Sequence, residues 1–331
     1  MSVYPIHPVT LGGVRTYPLS ARKSKVTVRD FAKPPRTGSF ERFLGSLPDI
    51  LAARDLRDLA SSLLAARKHK KAILWGIGGH VIKVGLAPVL IGLMERGFVS
   101  GIAMNGAALI HDFEIAMVGN TSEDVEAALD KGQFGMAQET GWSINEIAKL
   151  AQRIHIGYGE AAGQYLSSGI VEPRYPEMSL LVAAYRQRIP VTVHLAIGTD
   201  IPHMHPAADG AALGTASHLD FRLFCALVQR MDSGGAYLNW GSAVLLPEVF
   251  LKAVSVARNL GAPLRSITTA NFDFIQHYRA VMNVVRRPIA ASNRKKESRG
   301  FAITGHHELM LPLLAAALVA GWPYPGRRAK R

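Results

Sequence analysis

A single cysteine, Cys225, is the scarcest chemical group in this 331-residue chain. It excludes an intrachain disulfide and any thiolate cluster built from one chain, and it fits a reducing compartment. Long apolar runs are missing as well. The longest, Leu309 to Trp322, falls short of the roughly 18 residues a membrane span needs and reads as a buried helix. The first 20 residues hold Pro5, Pro8 and Pro18 and no long apolar stretch, so no secretory leader is expected. The chain reads as a soluble cytoplasmic protein without a membrane partner. Carboxylates are outnumbered too: 25 Asp and Glu face 38 Lys and Arg, for a net charge of +13. The excess gathers in Arg22 to Arg36, Arg67 to Lys71, Arg286 to Arg299 and Arg327 to Arg331. No zinc-finger, helix-turn-helix or aromatic–basic motif accompanies it. Solvated surface and attraction for an anionic substrate or cofactor are therefore expected in place of a nucleic-acid partner.

What is present is the composition of an ordinary globular chain, 48% hydrophobic and 19% charged, long enough to bury a full core. Residues 1–44, rich in Pro, Arg, Ser and Thr, lack sustained periodicity and read as an extended arm. Phe43, Leu47, Ile50, Leu51, Leu56, Leu59 and Leu63 are spaced for one helix face over Phe40 to Arg67. From Lys71 the pattern turns to strand, turn and helix. Ala72 to Trp75 leads into Gly76-Ile77-Gly78-Gly79-His80 and a helix through Met94; Val99 to Met104 leads into Asn105-Gly106-Ala107 and a second helix. Thr121 to Arg188 is mainly helical, with a cap at Thr121 to Asp124 and a break over Gly132 to Gly141. Further strands are expected at Ile189 to Leu195, Ala236 to Trp240, Ser266 to Ala270 and Phe301 to Thr304. Short apolar strands alternating with helices predict a parallel sheet covered on both faces. The fold class is thus α/β, one Rossmann-like domain over 45–331 preceded by the arm.

In such sheets ligands bind at the carboxyl ends of the strands, so the residues there are the candidates. Gly76-x-Gly78-x-x-Val81 lacks the third glycine of the dinucleotide fingerprint, although a phosphate could still rest on its exposed N–H groups. The alternative is a tight turn that needs glycine only for backbone geometry. Seven of 12 histidines, His80, His111, His194, His203, His205, His306 and His307, fall at strand ends or just beyond them. With Asp112, Asp200 and Glu308 they could supply acid–base groups; His80, His111, Asp112, His194 and Asp200 form the candidate catalytic set. A divalent metal held by His203, His205 and His307 is a second reading, without a compact ligand motif behind it. Cys225 lies in an apolar helical pattern and belongs to the core.

Three blocks resemble the deoxyhypusine synthase superfamily, whose enzyme uses NAD to move the aminobutyl group of spermidine to a protein lysine. They are Val99 to Ala116, with Asn105-Gly106-Ala107-Ala108 before His111-Asp112; Asn239 to Ala253; and Gly305 to Leu314. The resemblance covers roughly residues 45–320 in order. It implies NAD against Gly76, Gly78, Gly79, His80, Asn105, Gly106, Ala107, Gly241, Ser242, Gly305 and His306, and a homo-oligomer, dimer or tetramer. It also implies what this chain has lost. The family's lysine motif has no counterpart between Ile267 and Phe301. Its acidic pair falls on Ile110 and His111, its Lys-His-His turn on Leu246-Pro247-Glu248, and an adenosine-site aspartate on His306. Imine chemistry needs the lysine and a polyamine needs carboxylates, so authentic deoxyhypusine synthase activity is not expected. The leading expectation is an enzyme of the same fold that binds NAD or a related nucleotide and uses histidine on a less cationic small-molecule substrate. A metal-dependent hydrolase or lyase, and a non-catalytic binding protein, are the alternatives.

Overall fold

The computed structural model describes residues 15, 18, 31–34, 38–290 and 297–321. Most of the expected arm lies outside the described residues, as do Lys295, Lys296 and the basic tail. The chain runs α1 (Phe40–Leu44), α2 (Leu51–Lys68), β1 (Ile73–Ile77), α3 (Gly79–Lys83), α4 (Ala87–Glu95), β2 (Gly101–Asn105) and α5 (Gly106–Val118). Then come α6 (Val125–Leu129), α7 (Gln138–Ile154), α8 (Tyr158–Ser167), α9 (Leu180–Gln187), β3 (Val191–His194), α10 (Gly210–Gln229), β4 (Ala236–Trp240) and α11 (Leu245–Asn259). The chain continues through β5 (Thr268–Asp273), α12 (Tyr278–Ala280), a π-helical stretch Val281–Arg286, α13 (Arg287–Ala290), β6 (Arg299–Thr304) and α14 (His307–Val319).

All strand pairs are parallel and their order is β3-β2-β1-β4-β5-β6. That is the doubly wound order, whose direction reverses between β1 and β4 and opens a crevice at their carboxyl ends. Alternation along the strands divides the core. Ile73, Trp75, Ile77, Ile102, Met104, Leu238, Trp240 and Phe272 pack with α2, α4, α5, α9 and α14. Leu74, Ala103 and Tyr237 point the other way, against α10 and α11. Flat aromatics brace the middle strands: Trp240 stacks on Phe272 at 3.9 Å, Tyr237 on Phe250 at 3.8 Å.

Two expected helices divide. The chain breaks at Gly45 to Ile50 because Pro48 lacks the N–H that would continue α1. The helix expected through Met94 is interrupted at Gly85, in left-handed backbone at φ +76°, before Pro88 opens α4. In the middle region the side chain of Asp124 caps α6, and α7 already begins at Gln138. The outer edge of β3 is closed by side chains: Val193 N–H donates to Asp220 and Leu195 N–H to Ser217, both on α10. Among the described residues α10 is the one helix long and apolar enough to cross a membrane by length and composition. It lies between the sheet, α7 and α11, with Asp220 fully buried, and is a core helix here.

Candidate active site

The carboxyl ends of the strands form one continuous rim, and small residues make the continuity. At the switch point the β1 and β4 turns touch through backbone: Gly78 N–H donates to Trp240 C=O at 2.8 Å. A Cβ on Gly78 would stand 2.2 Å from the carbonyl oxygen of Gly241. Gly241, at φ +65°, lies against the ring of His307. Gly79 abuts Ala107 and the Cδ2 edge of His111, and Gly106 abuts the carboxylate of Asp200. The rim therefore runs from His307 through Gly241, Gly78 and Gly79 to His111, Ala107 and Asp200.

The glycines of the β1 turn are thus all packed by protein. Gly76 faces the hydroxyl of Tyr237, and Gly78 and Gly79 are occupied as described. This is the tight-turn alternative of the sequence reading: contact with protein accounts for glycine at each of the three positions. The end of β2, where that fold places an acidic residue for the ribose, carries Asn105, whose side chain caps α5 by accepting from Ala108 N–H at 3.0 Å. The rings above the joined turns are better suited to flat ligands. His80 meets His307 at 5.2 Å between centroids and Phe274 at 5.9 Å, and Phe274 stacks on His306 at 6.0 Å. Phe274 remains 46% exposed. His307 is fully buried; its Nε2 lies 3.2 Å from Phe272 C=O, whereas Nδ1 has no hydrogen-bond partner among the described residues. Burial pulls its pKa down.

Beside this shelf lies a cleft of about 780 Å³ between α5, the segment that follows it, the start of α7 and residues 199–201. Apolar side chains such as Ile110, Phe113, Met117 and Phe134 line it, with Lys83, His111, Glu114, Thr140 and Asp200 supplying polar groups. His111 Nδ1 is 2.7 Å from Thr121 Oγ1, and Thr121 donates to Glu114 Oε2 at 2.5 Å. Thr140 donates to the other oxygen, Oε1, at 3.1 Å. Desolvation, helped by the Lys83 charge, holds the His111 pKa down to about 4. Asp200, its carboxyl pushed up by burial, both lines this cleft and caps the short turn Ile201–Met204.

Other candidates are held elsewhere. Asp112 is fully buried and accepts from Ser179 Oγ, Leu180 N–H and Leu181 N–H, so it anchors the start of α9 and does not line the cleft. His194, down to about 3 by burial, bonds Thr192 and packs on Phe224 beneath α10. His203 accepts N–H bonds from Gly198 and Asp200 within its own turn. His205 is packed against Gly141 of α7. His203, His205 and His307 do not assemble, and among the described residues no group of three His, Cys, Asp or Glu is placed to hold a metal ion. Ser242 Oγ accepts from Leu246 N–H at the start of α11, and Gly305 fits closely against Met310. Sequence reasoning missed Phe274, Glu114, Thr121 and Thr140. Glu114 carried a signal, since it stands three residues after His111 on the same helix face; Thr140 depends on how α7 returns to α5.

No family model matches the chain and no curated protein matches it. Solved structures do. A conserved LOR/SDH protein from Methanococcus maripaludis S2 is 16% identical, with 82% of this chain and 71% of that chain covered and a TM-score of 0.50. AgrE, in a ternary complex with ornithine and NAD+, is also 16% identical, with a TM-score of 0.52 over 83% of this chain. The chain spans about a third of AgrE, 35% of its length. A candidate deoxyhypusine synthase from Entamoeba histolytica is matched at 12% identity over 86% of this chain and 94% of that chain, with a TM-score of 0.45. The chain is a single doubly wound α/β domain, and the LOR/SDH protein and AgrE share its fold.

Proposed function

We propose that this chain is an enzyme that holds NAD or a related nucleotide on the ring shelf above the β1 and β4 turns. In the adjoining cleft, His111 accepts a proton from a small-molecule substrate. The observation that carries the reading is the state of His111. Its ring lines the cleft, its Nδ1 is engaged by Thr121, and no hydrogen bond among the described residues engages Nε2. An oriented imidazole with an unbonded ring nitrogen in an apolar cleft has the geometry of a general base; burial, by holding its pKa to about 4, keeps it unprotonated at neutral pH and makes it a weak base.

The nucleotide half of the proposal is supported by position and by ring chemistry. The shelf lies at the switch point, where this sheet order binds its ligands, and AgrE, which shares the fold, holds NAD+ in its structure. Phe274 and His306 would carry a planar ring by stacking, with His80 alongside. NAD, when bound, supplies a hydride acceptor. The protein's own part is to hold the ring, to keep the cleft apolar and to receive the proton at His111. Because the lysine motif of deoxyhypusine synthase is missing from the sequence, transfer of an aminobutyl group to a protein lysine forms no part of this proposal.

The test is a fluorescence titration of the purified protein with NADH, repeated with Phe274→Ala. Saturable binding is expected, weakened about five- to tenfold by loss of the stacking ring. No saturable binding of NADH, NAD+ or NADP+ at millimolar concentration would overturn the nucleotide reading.

A further inference from the structure

The segment between α5 and α7, residues 119–137, forms one wall of the cleft through Asn120, Thr121, Val125 and Phe134. Its backbone is left-handed at Gly119, Ser122, Gly132 and Gly135, with φ of +75°, +70°, +63° and +77°. Outside the short helix α6, such a path is set by specific contacts and has no regular ladder to hold it. One contact is Thr121 against Glu114 and His111 on α5. Another is Gly135, whose N–H donates to Glu123 Oε2 at 2.8 Å. A Cβ there would stand 2.8 Å from Cβ of Ile201, so only glycine lets the segment seat against residues 201–204.

The hydrogen bonds around Thr121 have a direction. A carboxylate only accepts, and a threonine hydroxyl has one proton to donate. Thr121 gives that proton to Glu114, so toward His111 its oxygen can only accept. Nδ1 must therefore carry the imidazole proton, which leaves Nε2 as the basic nitrogen. Thr140, donating to the second Glu114 oxygen from α7, holds the carboxylate in the orientation that enforces this.

We propose that Thr121 and Glu114 are positioning residues that set His111 in its Nδ1–H tautomer, and that they do so only while residues 119–137 are seated against α5. Covering the cleft and orienting its base are then one event, since the covering segment carries the hydroxyl that fixes the tautomer. This rests on the reading of His111 as the proton acceptor and is independent of whether the shelf holds a nucleotide.

The experiment is 15N NMR of the full chain labelled at histidine, with the His111 signals identified by their loss in His111→Gln. In the wild-type protein at neutral pH, His111 is expected as the Nδ1–H tautomer, with Nε2 at the shift of an unprotonated nitrogen. Thr121→Val, which keeps the shape and removes the hydroxyl, should lower the Nδ1–H share to about half or less, and Thr121→Ser should restore it. Gly135→Ala alters no group of the relay chemically but displaces the segment that carries Thr121, and it should lower the share as well. Thermal melts establish that each variant is folded. An Nε2–H tautomer in the wild-type protein would overturn the proposal with no variant needed. An unchanged tautomer in folded Thr121→Val would overturn the role of Thr121, and an unchanged tautomer in Gly135→Ala would overturn the coupling to segment seating. A failed NADH titration moves none of these signals, so the two readings fail separately.

Discussion

Asp112 and His111 are neighbours in sequence and opposites in use. On α5 adjacent residues point about 100° apart, so one enters the cleft and the other the core. Asp112 serves Ser179, Leu180 and Leu181 with both oxygens, tying α5 to the start of α9. Burial pushes its carboxyl up to about 6 against the pull of those three donors. Asp112→Asn would turn an N–H group toward donors and is expected to lower the unfolding free energy by about 1–3 kcal/mol, as measured by urea denaturation, while NADH binding stays unchanged. Unchanged stability with lost binding would return Asp112 to the candidate site. A histidine followed by an aspartate at a strand-to-helix passage was legible as a chemical pair. Which of the two faces the cleft was not, because that depends on where α9 packs.

At the scale of elements, the turns decide where the rim lies. Gly78 and Gly85 are both glycines near α3, and their reasons differ. Gly78 is required by contact: an alanine Cβ would meet the Gly241 carbonyl oxygen, which belongs to backbone and cannot rotate away. Gly85 is required by conformation, at φ +76° with nothing among the described residues within 4 Å of an added Cβ. Gly78→Ala is therefore expected to cost about 3 kcal/mol or more, since the β1 and β4 turns must separate. Gly85→Ala should cost about 1–2 kcal/mol, the penalty of left-handed backbone. Paired urea titrations check the order; equal costs would mean that the turns yield easily and that the shelf is less firmly built. The strands themselves were legible from short apolar runs between turn residues. Their order was not, because every parallel pairing presents the same pattern along the chain.

For the whole molecule, buried titratable groups make stability depend on pH in two directions. Asp112 and Asp220, raised to about 6 and about 7 by burial, favour the folded state in their protonated forms, so their contribution is lost as pH rises from about 4 toward those values. His111 and His194, lowered to about 4 and about 3, stay neutral in the fold while the unfolded chain protonates near 6.5. Their contribution is present above 6.5 and is lost as pH falls toward the folded values. Replacing the fully buried one isolates the second effect. The difference in unfolding free energy between wild type and His194→Gln should grow by up to about 1.4 kcal/mol per pH unit between pH 4 and 6, then level off above 7. The aspartates are common to both proteins and cancel. A constant difference across this range would mean that His194 keeps its ordinary pKa and is not sealed beneath α10.

By itself the sequence determined the class of the molecule. Alternating apolar strands and helices commit the chain to a covered parallel sheet, because only buried strands can be apolar on both faces. Glycine, histidine and acid at the strand ends mark the rim, since local turn chemistry is written in local residues. That the chain carries no Ser-Trp-Gly-Lys run is likewise a fact of the sequence. Tertiary structure alone decided the rest. It chose the order β3-β2-β1-β4-β5-β6, and with it the switch point. It filled the β1 glycines with Tyr237, Gly241 and Ala107, sent His194 and Asp112 into the core, and brought Thr121 and Thr140 onto Glu114. Those outcomes depend on contacts between residues far apart in the chain, and no local pattern of spacing or propensity encodes which distant surfaces will meet.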